Sequence, residues 1–272
     1  MKSLSPQHRR ILTYAATGVL GSAAARQAAI GSFQSAHYLA MVGTAALLLP
    51  TLLRNSQWFG SITTNFPTSR REVWITIDDG PHPEHTPEIL EVLGTHAAKA
   101  SFFGIGRRIL QWPHLACAIT SAGHQLQNHT FSHQTGSFWA ALPDRARREI
   151  ALCSNAIAQT TGTEAIQFRS PVGIANPFVH AAAEQAGLRM IGWSANGLDG
   201  LPHQPERVVQ KILRDVRPGA IILIHEGDLP GLRKGSRART LEALLRRLSG
   251  LGYEAVVPPL CTLRARPLLG KS

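Results

Sequence analysis

The sequence predicts an α/β protein preceded by a helical N-terminal extension. Three observations carry this. Apolar, β-branched runs recur along the chain with helix-patterned stretches between them, as in a sheet built from strand and helix units. Several of those runs end on residues that carry chemistry: Asp78-Asp79, His129 with His133, and His225. The first 71 residues hold seven Lys or Arg and no Asp or Glu.

The first strand is residues 73–77, where Val73, Ile75 and Ile77 alternate with Trp74 and Thr76. Gly80-Pro81 ends it, which puts Asp78 and Asp79 at a strand end. A turning backbone there relaxes the strict alternation of side chains. One carboxylate can then hold a metal while its neighbour reaches a reacting water. Taken alone, Asp-Asp-Gly-Pro reads equally as a turn. Residues 84–96 have helix signals, with Ile89, Leu90 and Leu93 at helical spacing. Residues 100–106 read as the next strand and turn, and 122–127 as a short strand that delivers His129 and His133. At i, i+4 two imidazoles can share one face of a helical turn, and imidazole suits Zn²⁺ and related ions. A lone pair of this kind is usually two surface residues. Two His and one Asp leave positions open for water and substrate, whereas a closed structural site wants four ligands. Cys117, Cys153 and Cys261 match no zinc spacing.

Residues 143–160 and 176–187 are the next helices, the second closed by Gly187, and 205–216 and 240–250 are amphipathic ones. The continuous apolar run at 219–225 suits a strand buried on both faces and ends in His225. Residues 251–257 read as the last strand. Groups that bind or react gather at the carboxyl ends of strands in such folds.

Five segments in this order resemble a known family. They are Thr-Ile-Asp-Asp-Gly-Pro at 76–81, Asn-His-Thr-Phe-Ser-His at 128–133, Phe-Arg-Ser-Pro-Val-Gly at 168–173, Trp-Ser-Ala-Asn-Gly-Leu-Asp at 193–199, and Ile-Ile-Leu-Ile-His at 221–225. The chain is similar to the NodB-type polysaccharide deacetylases, carbohydrate esterase family four, from about residue 72 to about 263. The resemblance implies an irregular (β/α) barrel of fewer than eight units. It implies Asp78 as general base and Asp79, His129 and His133 as ligands of one divalent metal ion, Zn²⁺ first, with Co²⁺ or a similar ion as the alternative. It also implies Arg169 holding the base and His225 as general acid, oriented by Asp199. The backbone N–H of Val172 would face the oxyanion. Two departures stand out. Val172 replaces the family's usual Tyr, and Gly200 follows Asp199 where the family usually has Trp, which removes a stacking wall for a sugar ring.

The implied reaction is attack of water on an amide carbonyl, with Asp78 taking the water proton and His225 protonating the leaving amine. The expected substrate is therefore an N-acylated amino sugar, with acetyl the first choice, and a lipid-linked glycan is favoured over a long soluble polymer. An O-acyl esterase and a catalytically silent glycan-binding module are the alternatives.

Residues 1–71 carry +7 of the chain's formal +11. Residues 27–53 contain no charged side chain, and a membrane span needs about 20 mostly apolar residues. Residues 11–25 form a second uncharged run behind Arg9-Arg10. A signal peptide, a transit peptide, a membrane hairpin and helices packed on the barrel all fit this pattern. The expectation is membrane association at a bacterial inner membrane; a hairpin would leave the catalytic domain on the cytoplasmic side. The basic excess suits anionic lipid headgroups, and no nucleic-acid partner is expected. The expected division is an extension at 1–71, a catalytic domain at 72–265 and a tail at 266–272.

Overall fold

The computed structural model describes residues 5–200 and 204–259. The expected boundary at 265, the tail 266–272 and Cys261 lie outside the described residues. The chain opens with two helices, α1 (Pro6–Ala29) and α2 (Phe33–Leu52). Ser5 caps α1 by accepting the His8 N–H, and Pro6 occupies the first turn, where no N–H is needed. The turn at 30–32 reverses the chain, so α2 packs back along α1. Gly43 allows the close approach, since a Cβ there would stand 3.3 Å from Leu20.

The barrel follows. Its strands are β1 (Glu72–Gly80), β2 (Ala100–Gly104), β3 (Gln125–Asn128), β4 (Gln167–Phe168), β5 (Arg189–Met190), β6 (Ala195–Asn196), β7 (Ala220–His225) and β8 (Glu254–Ala255). Helix α3 (His85–Thr95) follows β1, and α4 (Gly106–Gln111) and α5 (Pro113–Ser121) follow β2. Helix α6 (Pro143–Thr161) follows β3, α7 (Pro177–Gln185) follows β4, α8 (Pro205–Asp215) follows β6 and α9 (Ser236–Gly250) follows β7. Every strand pair is parallel, in the order β5-β4-β3-β2-β1-β7-β6, and β8 flanks the first two residues of β1.

The sheet curls without closing, because β5 and β6 do not pair. Residues 59–66 lie in the gap. Thr63 N–H donates to Met190 O, Gly192 N–H to Thr63 O, and Phe66 N–H to Gly219 O. Phe59, Ile62 and Phe66 are buried there. The extension expected at 1–71 therefore divides: residues 6–52 form the two helices, and 59–66 belong to the barrel wall.

Period-2 alternation on β1 decides what faces where. Val73, Ile75 and Ile77 pack outward against the helices, in a cluster with Leu93 on α3 and Leu241 and Leu244 on α9. Trp74 points into the barrel with Phe103, Trp193, Ile221 and Leu223. Both faces of β1 and β7 are thus covered, which is why both strands read as continuous apolar runs. Thr76 and Asp78 share the inward column with Trp74.

Candidate active site

Asp78 is inward by alternation, and Asp79 should point out. It does not, because its φ of +73° and a register shift against β2 between Asp78 and Gly80 turn the backbone. The two carboxylates therefore reach one site from adjacent positions. Gly80 allows this turn: a Cβ there would lie 1.6 Å from Glu226 Oε1, so no larger residue fits. The Asp79 carbonyl is held by Arg108.

His129 and His133 do not sit on a helical turn. They sit on a loop after β3 in which Thr130 and His133 have positive φ, 66° and 51°. Asn128 Oδ1 accepts the Thr130 N–H at 2.9 Å, and Thr130 Oγ1 accepts the His133 N–H at 3.1 Å. Glu149 on α6 takes both the N–H and the hydroxyl of Ser132 at 2.8 Å. This brings the two rings to 4.6 Å between centroids.

His129 Nδ1 lies 2.7 Å from the Arg169 carbonyl. A carbonyl only accepts, so Nδ1 carries the proton and Nε2 presents its lone pair. That lone pair faces Asp79 Oδ1 at 3.6 Å, and His133 Nε2 faces the same oxygen at 3.1 Å. Asp79 Oδ1 is buried and has no hydrogen-bond partner among the described residues. An orphaned carboxylate oxygen between two imidazole nitrogens fits a cation. Four-coordinate Zn²⁺ with bonds of about 2.0 Å has ligand–ligand edges of about 3.3 Å, midway between the two observed distances. Burial lowers both imidazoles to about 4, despite the opposing pull of Asp79, so they are neutral and able to ligate near neutral pH. Desolvation works to raise the half-buried Asp79 carboxyl, but His133, His225, His129 and Arg108 hold it below the usual range.

Arg169 follows β4 and is buried. Its Nη1 donates to Asp78 Oδ1 at 2.6 Å and to Thr76 Oγ1 at 2.9 Å. Its Nη2 and Nε donate to the carbonyls of Gly192 and Ile191. The guanidinium lies 4.2 Å over the Phe103 ring. A fork fixed at every nitrogen holds Asp78 in one rotamer. Burial pushes the Asp78 carboxyl above the usual carboxylate range, against the pull of Arg169 and His225.

His225 ends β7. Its Nδ1 donates to Asp199 Oδ1 at 2.8 Å, and its backbone N–H donates to Asp199 Oδ2 at 2.7 Å. Burial would lower this imidazole. The Asp199 charge and hydrogen bond, with Asp79 and Asp78 behind them, outweigh burial and carry it up to about 9. Val172 lies in the turn Pro171–Gly173 with φ +52°, and its N–H is free of the turn's two bonds, Gly173 to Ser170 and Ile174 to Pro171. Gly173 cannot change: its φ is +70°, and a Cβ would sit 2.4 Å from the Trp193 ring.

One cavity of about 180 Å³ collects Asp78, Asp79, His129, His133, Val172 and His225. One contributor, on α9, carries no signal in the sequence. Arg237 on α9, buried, donates to the Asp199 carbonyl at 2.7 Å and to Gly227 O at 2.8 Å, which sets the height of Asp199. Thr76 relays Arg169 to the Ile222 carbonyl. Trp193 is buried and also lines the cavity. A second cluster, His82, His85 and Asp228, stands beside it. There His82 Nδ1 accepts the N–H groups of Glu84 and His85, and Nε2 meets Asp228 at 3.0 Å, so both ring nitrogens are engaged within the chain.

A family model for polysaccharide deacetylases matches residues 65–191. A chitooligosaccharide deacetylase of Azorhizobium caulinodans is 34% identical over 65% of this chain and 86% of its own. A peptidoglycan-N-acetylglucosamine deacetylase of Bacillus cereus is 30% identical over 72% of this chain and 91% of its own. Among solved structures, a mutant with restored activity of a family-four pseudoenzyme from Bacillus anthracis matches with a TM-score of 0.64. It is 26% identical and covers 71% of this chain and 68% of that one.

Proposed function

The chain belongs to the NodB-type polysaccharide deacetylase family, carbohydrate esterase family four, and from that premise we propose that it hydrolyses the N-acetyl group of an N-acetylglucosamine unit in a glycan. The observation that carries the reading is the pairing of two charge-coupled diads across one cavity. Arg169–Asp78 stands on one side and Asp199–His225 on the other, with the Asp79, His129 and His133 donors between them. A module that only binds glycans needs neither diad.

Asp79, His129 and His133 would hold a divalent metal ion, Zn²⁺ by its donor set, which when bound would polarise the acyl carbonyl and acidify a water. Asp78 removes the proton of the attacking water. Its Oδ1 is occupied by Arg169, while Oδ2, 3.6 Å from His129 Nε2, faces the cluster. A carboxyl lifted above its ordinary range is the stronger proton acceptor. The Val172 N–H supplies a backbone donor to the developing oxyanion. As the carbon–nitrogen bond breaks, His225 Nε2 gives its proton to the leaving amine, and acetate and a free amino sugar result. Asp199 fixes the His225 tautomer so that Nε2, not Nδ1, faces the cavity.

The test is acetate release from N-acetylglucosamine oligomers, read against pH. The profile should be bell-shaped. The acidic limb follows deprotonation of Asp78, above the usual carboxylate value, and the alkaline limb follows loss of the His225 proton near pH 9. Asp199→Asn should move the alkaline limb down, because burial then acts on His225 without the opposing charge. His225→Ala should cost about 10²–10⁴ in kcat on the amide, and far less on an activated O-acetyl ester whose leaving group needs no proton. Equal losses on both substrates would remove His225 from the acid role, and a weak dependence of turnover on His225 would favour ester hydrolysis.

A further inference from the structure

Helix α2 is long and apolar enough to cross a membrane by length and composition. Only Gly43 and Thr51 of its twenty residues are buried. Tyr38, Met41, Val42, Leu49 and Leu52 are exposed along it, so it is not a core helix of the barrel. A 20-residue helix is about 30 Å long, the thickness of a bilayer's hydrocarbon core. The hairpin tip presents Ile30 and Phe33 at 69% and 72% exposure. The opposite end, against the barrel, carries Arg9, Arg10 and Arg54 and the half-exposed Trp58, an arrangement suited to the headgroup level.

That end of α2 leads straight into the cavity mouth. Asn55 N–H donates to the Gly173 carbonyl at 2.8 Å, in the turn that holds Val172, and Asn55 Nδ2 donates to the Trp193 carbonyl at 3.1 Å. A second cavity, of about 290 Å³, runs from His225 and Val172 past Leu198 to Arg54. It shares Val172, Trp193, Gly200, Leu223 and His225 with the first. Among the described residues nothing lies within 4 Å of a Cβ placed at Gly200. Among the described residues Arg54 makes no hydrogen bond or ion pair, whereas Arg9 and Arg10 bond Gln57 and Glu184.

We infer that the substrate is presented from a bilayer: an N-acylated amino sugar joined through a phosphate or pyrophosphate to a lipid chain, with Arg54 meeting the phosphate. This rests on the deacetylase reading and adds the substrate class. The sugar reaches Asp78 and His225 through the first cavity. The phosphate lies in the second, and the lipid leaves beside α2. Arg54 stands where the polar and apolar parts of such a molecule divide.

The experiment uses the full chain in vesicles of zwitterionic and anionic phospholipid. Three substrates are compared: N-acetylglucosamine on a polyprenyl pyrophosphate, soluble N-acetylglucosamine 1-phosphate, and a neutral soluble N-acetylglucosamine tetramer. The protein should stay with the vesicles through a high-salt wash, since apolar insertion is not screened by ions. The lipid-linked substrate should have the highest kcat/KM. Arg54→Ala should lower its ratio to the tetramer by about tenfold or more, the size of a lost charge-assisted hydrogen bond, through KM rather than kcat. Arg54→Lys should recover part of that ratio. An unchanged ratio in Arg54→Ala, or a tetramer turned over as well as the lipid-linked sugar, overturns the inference and leaves deacetylation standing. So does a soluble sugar phosphate that matches the lipid-linked one. No acetate from any of the three overturns the deacetylase reading itself.

Discussion

The double variant His129→Ala/His133→Ala is expected to bind no divalent metal and to release no measurable acetate, while remaining folded. Asp79 Oδ1 is the pivot of the donor set. Among the described residues it has no hydrogen-bond partner, and it is approached by one imidazole nitrogen from each histidine. Removing both leaves a single carboxylate oxygen, and one monodentate ligand does not hold a transition metal against water. The fold should tolerate the change. The loop that carries the rings is tied by Asn128, Thr130 and Glu149, none of which is altered. Metal content per chain, measured after dialysis alongside a thermal melt, checks this. Stoichiometric metal in the double variant would falsify the assignment of both ligands. The wild-type chain, stripped by a chelator, should lose turnover and regain it with Zn²⁺ or Co²⁺. Asp79→Asn should weaken metal affinity without abolishing the cavity.

The long, strongly patterned elements of this molecule are legible in its sequence, and the short ones are not. Strands β1 and β7 announce themselves because both faces are buried and the runs are long. Strands β4, β5 and β6 have two residues each, too few for any periodicity, and are fixed by parallel pairing to neighbours distant in sequence. Strand β8 keeps only two residues of the seven expected at 251–257. The His-x-x-x-His spacing points to a shared site, but its geometry comes from two left-handed residues and from Glu149 on α6, which local sequence does not encode. The site also depends on Arg237, whose bond to the Asp199 carbonyl spans 38 residues and has no motif. The place of residues 59–66 escaped for a related reason. They carry no strand pattern, yet they fill the opening between β5 and β6 through backbone bonds that any sequence can make.

Asp78→Asn should separate base from ligand. The substitution keeps the shape and leaves an oxygen for Arg169 to bond, but an amide cannot accept the water proton. Turnover is expected to fall by about 10²–10⁴ with metal content unchanged. A second effect follows from burial. Arg169 is 1% exposed and its carboxylate partner is gone, so a buried guanidinium loses its counter-charge. Breaking such a pair costs about 3–5 kcal/mol when nothing replaces the partner. Here the Thr76 hydroxyl and the carbonyls of Ile191 and Gly192 remain, so the loss in denaturant unfolding should lie at or below the lower end of that range. The two effects are separable, because stability is read by unfolding and the base role by turnover of the folded, metal-loaded protein. Should Asp78→Asn empty the metal site while Asp79→Asn leaves it full, the two carboxylates exchange roles. The observed geometry weighs against that exchange: Asp78 spends one oxygen on Arg169, and it is Asp79 whose free oxygen stands between the two histidines.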